Sequence, residues 1–410
     1  MNEKTMLERT KVQKFVKKYW IIILILILVS ATTIPFVIYF ATQKEPYFIT
    51  IDSDDDFERW CDIGNGTVEN PYIIEGHQIT VPENWEGKIG DHTSPCAPSF
   101  ISISGVTKSF VIQNNIFTMK NDCGGEDMIR IYNVEVPFVI RDNQFRSYSY
   151  HKDGISLIYV NASNSVIENN EFYRTEIFLV QSRDIFVSRN IFYNSGLNSN
   201  WIEESNNVTF QYNLFDSSDV EFRDCSRISF LNNTFKEELY VYRMAFSGYD
   251  TNFYKILNNT FIRVGLDLIN SQYVEENTVN GKLLGYFINQ SNLVINNSIR
   301  YGQIILIHCN YTRISNQYIN NARLSIGIKF CLNTTISNCL LDKNYYGVYV
   351  SRSNHTLIEN NWFESCEYGV RGYYANNLRV KTNTFIDTIL DPILTTYCTL
   401  VIDEDNVFYE

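Results

Sequence analysis

The chain has 410 residues and a formal net charge of −12, with 28 Tyr, 27 Phe and only 8 Pro. The charge is uneven: residues 1–18 hold Lys4, Arg9, Lys11, Lys14, Lys17 and Lys18 against Glu3 and Glu8, residues 19–41 hold none, and removing that +4 from −12 leaves −16 on the rest. So acidic a body excludes nucleic acid and anionic lipid as partners held by charge.

In chain order, the first element is the run Trp20–Phe40, apolar except for Ser30, Thr32, Thr33 and Pro35. It is long enough to cross the roughly 30 Å hydrocarbon core as a helix. The basic cluster before it and the acids of Asp52–Glu58 after it predict a cytoplasmic N-terminus. The expected organisation is a basic cytoplasmic tail (1–18), a transmembrane signal-anchor helix (19–41), a tether (42–46) and an extracellular domain (47–410), making a single-pass protein of the cell membrane. A cleaved signal peptide is the competing reading, against which stand the length of the run and the lack of a small-x-small cleavage site. Next, Ser53 with Asp56 three residues on reads as a capping box for a short helix over Asp54–Trp60, a lid on whatever follows. The acids Asp52, Asp54, Asp55 and Asp56 read alternatively as a calcium site, although their spacing is not that of an EF-hand loop.

From there the chain repeats itself. FVIQNNIF at Phe110–Phe117 returns as VTFQYNLF at Val208–Phe215, ISFLNNTF at Ile228–Phe235, TLIENNWF at Thr356–Phe363 and LRVKTNTF at Leu378–Phe385. The copies align on a column of asparagines: Asn115, Asn143, Asn170, Asn190, Asn213, Asn233, Asn259, Asn277, Asn297, Asn316, Asn338, Asn361, Asn383 and Asn406. The intervals average about 22 residues, a period that defines a solenoid. A leucine-rich repeat would need an apolar residue eight before the Asn and a helical second half. Here that position holds Thr107, Ala162, Ser182, Ser205 or Ala375, and the second half alternates like a strand behind Gly154 or Gly347. Two or three short strands per turn predict an all-β parallel β-helix. Each column Asn then sits at a bend, bonding the backbone and the Asn of the next coil.

The pattern Gly-apolar-x-apolar, then Ser-x-Asn-apolar-x-apolar-x-x-Asn-x-Phe, resembles the right-handed parallel β-helix repeat of pectin-lyase-like proteins. That group includes the NosD-like carbohydrate-binding and sugar-hydrolase proteins. GNGTVENPYIIEG at Gly64–Gly76 looks like the entry coil of such domains. The resemblance implies a right-handed solenoid over about residues 47–410 and leaves activity open. Lyases of this kind are expected to gather acids beside a Lys or Arg, and hydrolases to pair carboxylates about 5–10 Å apart. Aligning strands on their opening Gly places Ser156, Glu203, Glu221, Asp267, Tyr349 and Arg371 on one outward row, so Glu203, Glu221 and Arg223 are the catalytic candidates. A ladder position pairs acids by accident, so the same row reads more readily as a solvated charged strand. The copper handling that a NosD resemblance hints at would favour clustered Met or Cys. The five Met do not cluster, and His77, His92, His151, His308 and His355 form no ligand-spaced pair, so no metal site is assigned.

Departures from the period point to loops. The intervals Asn115–Asn143 and Asn143–Asn170 are 28 and 27 residues. Their extra residues, Met119–Asp127 and Arg146–Asp153, should emerge side by side, joined by the insertion Val81–Pro98. That would gather Trp85, Tyr148, Tyr150, His151, Lys152 and Asp153 as a ligand-binding flank. Of the nine Cys, Cys309 and Cys331 hold one rung position on adjacent coils, to be read as a disulfide or as stacked buried thiols. Cys96 and Cys123 lie in the clustered loops and are further disulfide candidates. Ten Asn-x-Ser/Thr sequons, from Asn65 to Asn354, fit a glycoprotein. The reading that unites these features is a membrane-anchored, non-catalytic adhesion module binding carbohydrate or a surface partner. A polysaccharide lyase or glycoside hydrolase, and a scaffold subunit of a membrane complex, are the alternatives.

Overall fold

A computed structural model describes residues 48–81, 88–89, 92–93, 99–120, 127–148, 152–194, 200–237, 245–267, 271–399 and 401–409. The tail, apolar segment and tether expected at 1–46 lie outside the described residues, as do Trp85, Tyr150, His151, Cys96, Cys123 and the side chains of Lys152 and Asp153. Among the described residues, no helix is long and apolar enough to cross a membrane.

The rest is an all-β parallel solenoid with about 22 residues per coil. Each coil contributes three short strands to three sheets. The first sheet runs from Ile49–Ile51 to Phe246–Tyr249, the second from Tyr72–Glu75 to Ser271–Glu275, and the third starts at Gln78–Val81. Period-2 alternation sends one side chain of each pair inward, where it meets its equivalent on the next coil. The Phe two places after the column Asn makes the clearest inner row. Phe117, Phe145, Phe172, Phe192, Phe215 and Phe235 stack with ring centroids 5.2, 4.8, 4.6, 4.8 and 4.6 Å apart, all fully buried. Such ring pairs contribute about 0.5–1.5 kcal/mol each beyond their buried area.

At the bends, strands cannot pair through every backbone group, and side chains complete the bonding. The Oδ1 of Asn143 accepts the backbone N–H of Asn115 at 3.0 Å and its Nδ2–H at 2.9 Å, while Asn143 Nδ2 donates to Ile112 O at 2.9 Å. The pattern repeats from Asn115 to Asn277 and again through Asn361, Asn383 and Asn406. Three of the fourteen asparagines stand outside this column. Asn297 is exposed in an irregular turn, and Asn316 and Asn338 are exposed with φ near +54° and +53°, each one place before the buried column residue, Gln317 or Cys339. A second column, of Ser, Thr and Cys, serves another corner: the N–H groups of Ser182, Cys225 and Cys331 donate to Ser205 Oγ, Thr251 Oγ1 and Ser353 Oγ. Cys309 and Cys331 belong to it. They are unbridged thiols, and Cys309 N–H donates to Cys331 Sγ at 3.3 Å. The stacked-thiol reading is the one the structure shows: both cysteines are free, Cys309 Sγ donates to Phe287 O at 3.3 Å, and Cys331 Sγ lies 3.3 Å from Lys329 O.

The solenoid is not continuous. After Thr278–Val279 the chain reverses through Asn280 (φ +50°) and Gly281 (φ +75°), and Lys282–Ile288 pairs antiparallel with the strand it has just left. Positive φ at both central residues is the two-residue hairpin geometry that Asn-Gly favours. From there the fifteen-stranded sheet, built until now from third strands, is continued by the first strands of each coil, ending at Asp391–Thr396. New six- and five-stranded sheets complete this C-terminal stack. At the opposite end a 3-10 turn, Asp54–Asp56, leads into the helix Phe57–Trp60. Ser53 N–H and Oγ–H both donate to Asp56, at 2.9 and 2.7 Å, and buried Phe57 stacks on Tyr72 at 4.7 Å. Asp52 and Asp54 accept hydrogen bonds from Ser104 and Thr107 of the following coil, so three of the four acids are engaged with the protein itself.

Candidate functional site

The third sheet carries an exposed aromatic surface. Outward positions of consecutive strands fall in register: Gln144 beside Glu171, Arg146 beside Tyr173, and Tyr173 beside Tyr193. Tyr148 follows the first of these strands. Together with Phe145 these residues line a groove of about 420 Å³. Tyr148, Tyr173 and Tyr193 are 63, 48 and 36 % exposed, so their ring faces are accessible while the sheet fixes their roots. Arg146 Nη2 donates to Gln144 Oε1 at 2.7 Å, and Arg174 Nη1 donates to Tyr148 O at 3.4 Å while its guanidinium lies 5.8 Å from the Tyr173 ring centroid. Lys120 Nζ lies 5.9 Å from that of Tyr148. Lys120 lies over the Tyr148 ring and Arg174 over the Tyr173 ring, each covering one face.

The three insertions leave the rod at stacked positions. Val81, Met119 and Ser147 are register partners across adjacent coils, Lys120 N–H donates to Val81 O at 3.0 Å, and Tyr148 N–H to Met119 O at 3.0 Å. Of the flank read from the sequence, only Tyr148 has a described side chain, and its partners in the groove are Tyr173 and Tyr193. Sequence reading missed these two because they stand on regular strands, not in an insertion. Their signal was the shared place two residues after a column Asn-x, in EFY and IFY.

The three catalytic candidates do not form an acid pair. The register sets Trp201 beside Glu221 and Glu203 beside Arg223, so the two carboxylates lie on different outward rows. Alignment on an opening Gly fails here because neither strand, Asn200–Glu203 or Val220–Arg223, has one. Glu203 Oε1 lies 3.7 Å from Arg223 Nη1, and its Oε2 accepts the indole N–H of Trp201 at 3.3 Å. Glu221 instead lines a polar notch of about 260 Å³ with Ser247, Tyr249, Asp267, Lys329 and Tyr349. Burial lowers the pKa of the Lys329 ammonium and raises that of the Tyr349 phenol.

This path of three strands per coil, stacked in parallel, makes the chain a right-handed parallel β-helix protein. Within it, residues 300–407, nearly all of the C-terminal stack, match the family described as periplasmic copper-binding protein (NosD). No curated protein matches the chain. Among solved structures it is similar to the A-module of a mannuronan C-5 epimerase from Azotobacter vinelandii (14 % identity, TM-score 0.27, 87 % of this chain and 95 % of that one). It is also similar to the surface protein and adhesin PfbA of Streptococcus pneumoniae (11 %, 0.30, 88 and 100 %) and to a family 28 exopolygalacturonase of Yersinia enterocolitica (11 %, 0.28, 88 and 79 %). The residues within the NosD match do not fit copper. Among the described residues, no group of three or more His, Cys, Asp or Glu side chains is placed to hold a metal, His308 is stacked on Phe330, and Cys309 and Cys331 face backbone carbonyls.

Proposed function

We propose that this protein is a non-catalytic surface module that binds carbohydrate in the tyrosine groove, held outside the cell by the apolar segment 19–41. The observation that carries the binding reading is the set of three rigidly rooted, accessible rings, Tyr148, Tyr173 and Tyr193, beside the hydrogen-bonding groups of Gln144, Arg146 and Glu171. A sugar presents an apolar C–H face and a rim of hydroxyls, and a pocket that answers it needs a ring plane with a few convergent polar groups. Glu203 faces Arg223 and Trp201 and lies on a different outward row from Glu221, which supports binding over hydrolysis by that pair.

The test is a glycan array with the purified full chain, followed by titration of the best ligand and a screen for released reducing ends or unsaturated uronates. Binding is expected to weaken about tenfold for Tyr193→Ala and for Tyr173→Ala, a loss of about 1.4 kcal/mol, with no product released. Protease added to intact cells should remove the solenoid. Absence of glycan binding, or binding indifferent to both tyrosines, defeats the proposal, as does turnover of any bound glycan.

A further inference from the structure

Folding makes the ten Asn-x-Ser/Thr sequons unequal. In eight of them the residue bearing the hydroxyl is held in the β ladder, as Thr209, Thr260 and Thr312 are within strands and Ser291 is by a bridge to Asn310. A strand sends positions i and i+2 to one face but keeps their roots about 6.6 Å apart. At some of these sequons a needed group is also withdrawn. Thr312 and Thr356 are buried, and Asn207 Nδ2 donates to Asp184 Oδ1 at 2.6 Å.

Asn65-Gly66-Thr67 and Asn296-Asn297-Ser298 are different: both lie outside the strands, with the Asn and the hydroxyl residue exposed. In each, the backbone N–H of the third residue donates to the Asn Oδ1, from Thr67 at 3.2 Å and from Ser298 at 3.0 Å. The Thr67 hydroxyl donates to the same Asn65 oxygen at 3.1 Å. Among the described residues, neither Asn Nδ2 has an acceptor. Both turns are braced from beneath. Gly66 turns at φ +77° with Lys108 and Tyr72 packed where a Cβ would go. Buried Gln317 donates to Asn296 O and Ile299 O at 2.6 and 3.1 Å, and its Oε1 accepts Tyr301 N–H at 3.2 Å. The two loops share one more feature: an exposed aliphatic side chain two places before the Asn and another three after it, Ile63 and Val68 in one, Val294 and Ile299 in the other.

We propose that Asn65 and Asn296 are N-glycosylation sites, and that the other eight sequons stay bare in the folded chain. The donor is an oligosaccharide carried on a polyisoprenyl diphosphate. The bond from its anomeric carbon to the diphosphate oxygen breaks, a bond from that carbon to Asn Nδ2 forms, Nδ2 gives up one proton, and the lipid diphosphate leaves with the electron pair. Hydrogen bonds onto Oδ1 polarise the amide toward oxygen and ease the loss of the Nδ2 proton. The attached sugar then lies over the flanking aliphatic pair and takes it out of water. In the cell this inference rests on the external placement of the solenoid, where such donors are used.

The experiment uses the full chain, purified in detergent from bacteria that lack N-glycosylation. It is incubated with a purified oligosaccharyltransferase and its lipid-diphosphate-linked oligosaccharide, and the occupancy of each sequon is read by peptide mass spectrometry. Asn65 and Asn296 are expected to be filled about tenfold more than any other sequon. Digesting the chain to peptides before the incubation should abolish that preference, because the fold sets it. Thr67→Ala and Ser298→Ala each empty their own site and spare the other, whereas Thr67→Ser keeps Asn65 filled. Equal filling of Asn207 or Asn258 in the folded chain overturns the inference, as do bare Asn65 and Asn296 when the peptides accept the sugar. Placement is read separately, by protease added to intact cells that make the protein. A solenoid removed by protease yet bare at both asparagines overturns the modification and leaves the placement standing. A solenoid that protease cannot reach overturns the placement, and modification in the cell with it.

Discussion

Asparagine has two separate tasks in this chain, and they sit one residue apart. At the column position its amide is buried and bonds twice in each direction. Asn213 donates to Val187 O and Asn233 Oδ1, and accepts from the backbone and side-chain N–H groups of Asn190. One place earlier the backbone turns through the left-handed region, where Asn is tolerated because its side chain bonds locally, as at Asn114, Asn169, Asn316 and Asn338. Asn213→Ala should therefore cost about 3 kcal/mol, since it strands a buried carbonyl and a buried N–H at about 1–3 kcal/mol apiece. Asn316→Ala should cost only about 1 kcal/mol, and Asn316→Gly almost nothing. Urea midpoints of the three variants check this, and equal losses for Asn213→Ala and Asn316→Ala would remove the distinction. The same duality explains how much of the column was legible. In the pairs 114–115, 169–170 and 232–233 both positions are Asn, and the second is the buried column residue that the alignment picks out. In SNQ and SNC, at 315–317 and 337–339, the only Asn is the left-handed one, and Gln317 or Cys339 takes the buried place.

At the scale of the element, the sequence announced the strands and hid the hairpin. Period-2 alternation and the Asn-x-Phe corner are local signals, repeated often enough to survive any single exception. The reversal at Asn280–Gly281 is written once, in a dipeptide favoured for such turns and in an interval of only 18 residues between Asn259 and Asn277. Read as one more coil, it conceals a change in which strand continues the sheet, and with it the convergence that builds the notch. The hairpin is also a clamp. Asn280 Oδ1 accepts Arg263 N–H at 2.7 Å, and its Nδ2 donates to Asn320 O and Asn321 O at 2.8 and 2.9 Å, tying the two stacks together. Gln303, fully buried, adds a second clasp by bonding both the N–H and the C=O of Leu266. Gly281 turns at φ +75° with open space where a side chain would go, so an added Cβ meets backbone strain without a clash. Gly281→Ala should cost about 1–2 kcal/mol, and Asn280→Ala should release the Arg263 amide. Hydrogen exchange at Arg263 that stays as slow as in the parent chain for Asn280→Ala would show that the clamp carries no load.

At the scale of the molecule, a stack of coils must manage two open ends, each a row of unpaired strand edges over an exposed core. The N-terminal end is covered by Phe57 on its capped turn. The last described coil carries charge where the coils before it are apolar. The inner row Ile314, Ile336, Ile358 and Val380 continues into Asp403 on the final coil, an acid at a position that is apolar on the four coils before it. Asn406 Nδ2 donates to Asp403, so the carboxylate is fixed in place. Phe408, stacked 5.2 Å from Phe385, and Leu390 and Ile389 are also exposed, apolar groups on which another coil could otherwise settle. Covering that end would bury the Asp403 carboxylate without a cation, at a cost of several kcal/mol. Asp403→Ile should remove this penalty and complete the apolar row, so that chains associate end to end. Sedimentation across a concentration series is expected to show a single species for the parent chain and growing oligomers for the variant. Identical profiles would mean that the remaining edge acids, Glu404 and Asp405, are sufficient to keep the ends apart.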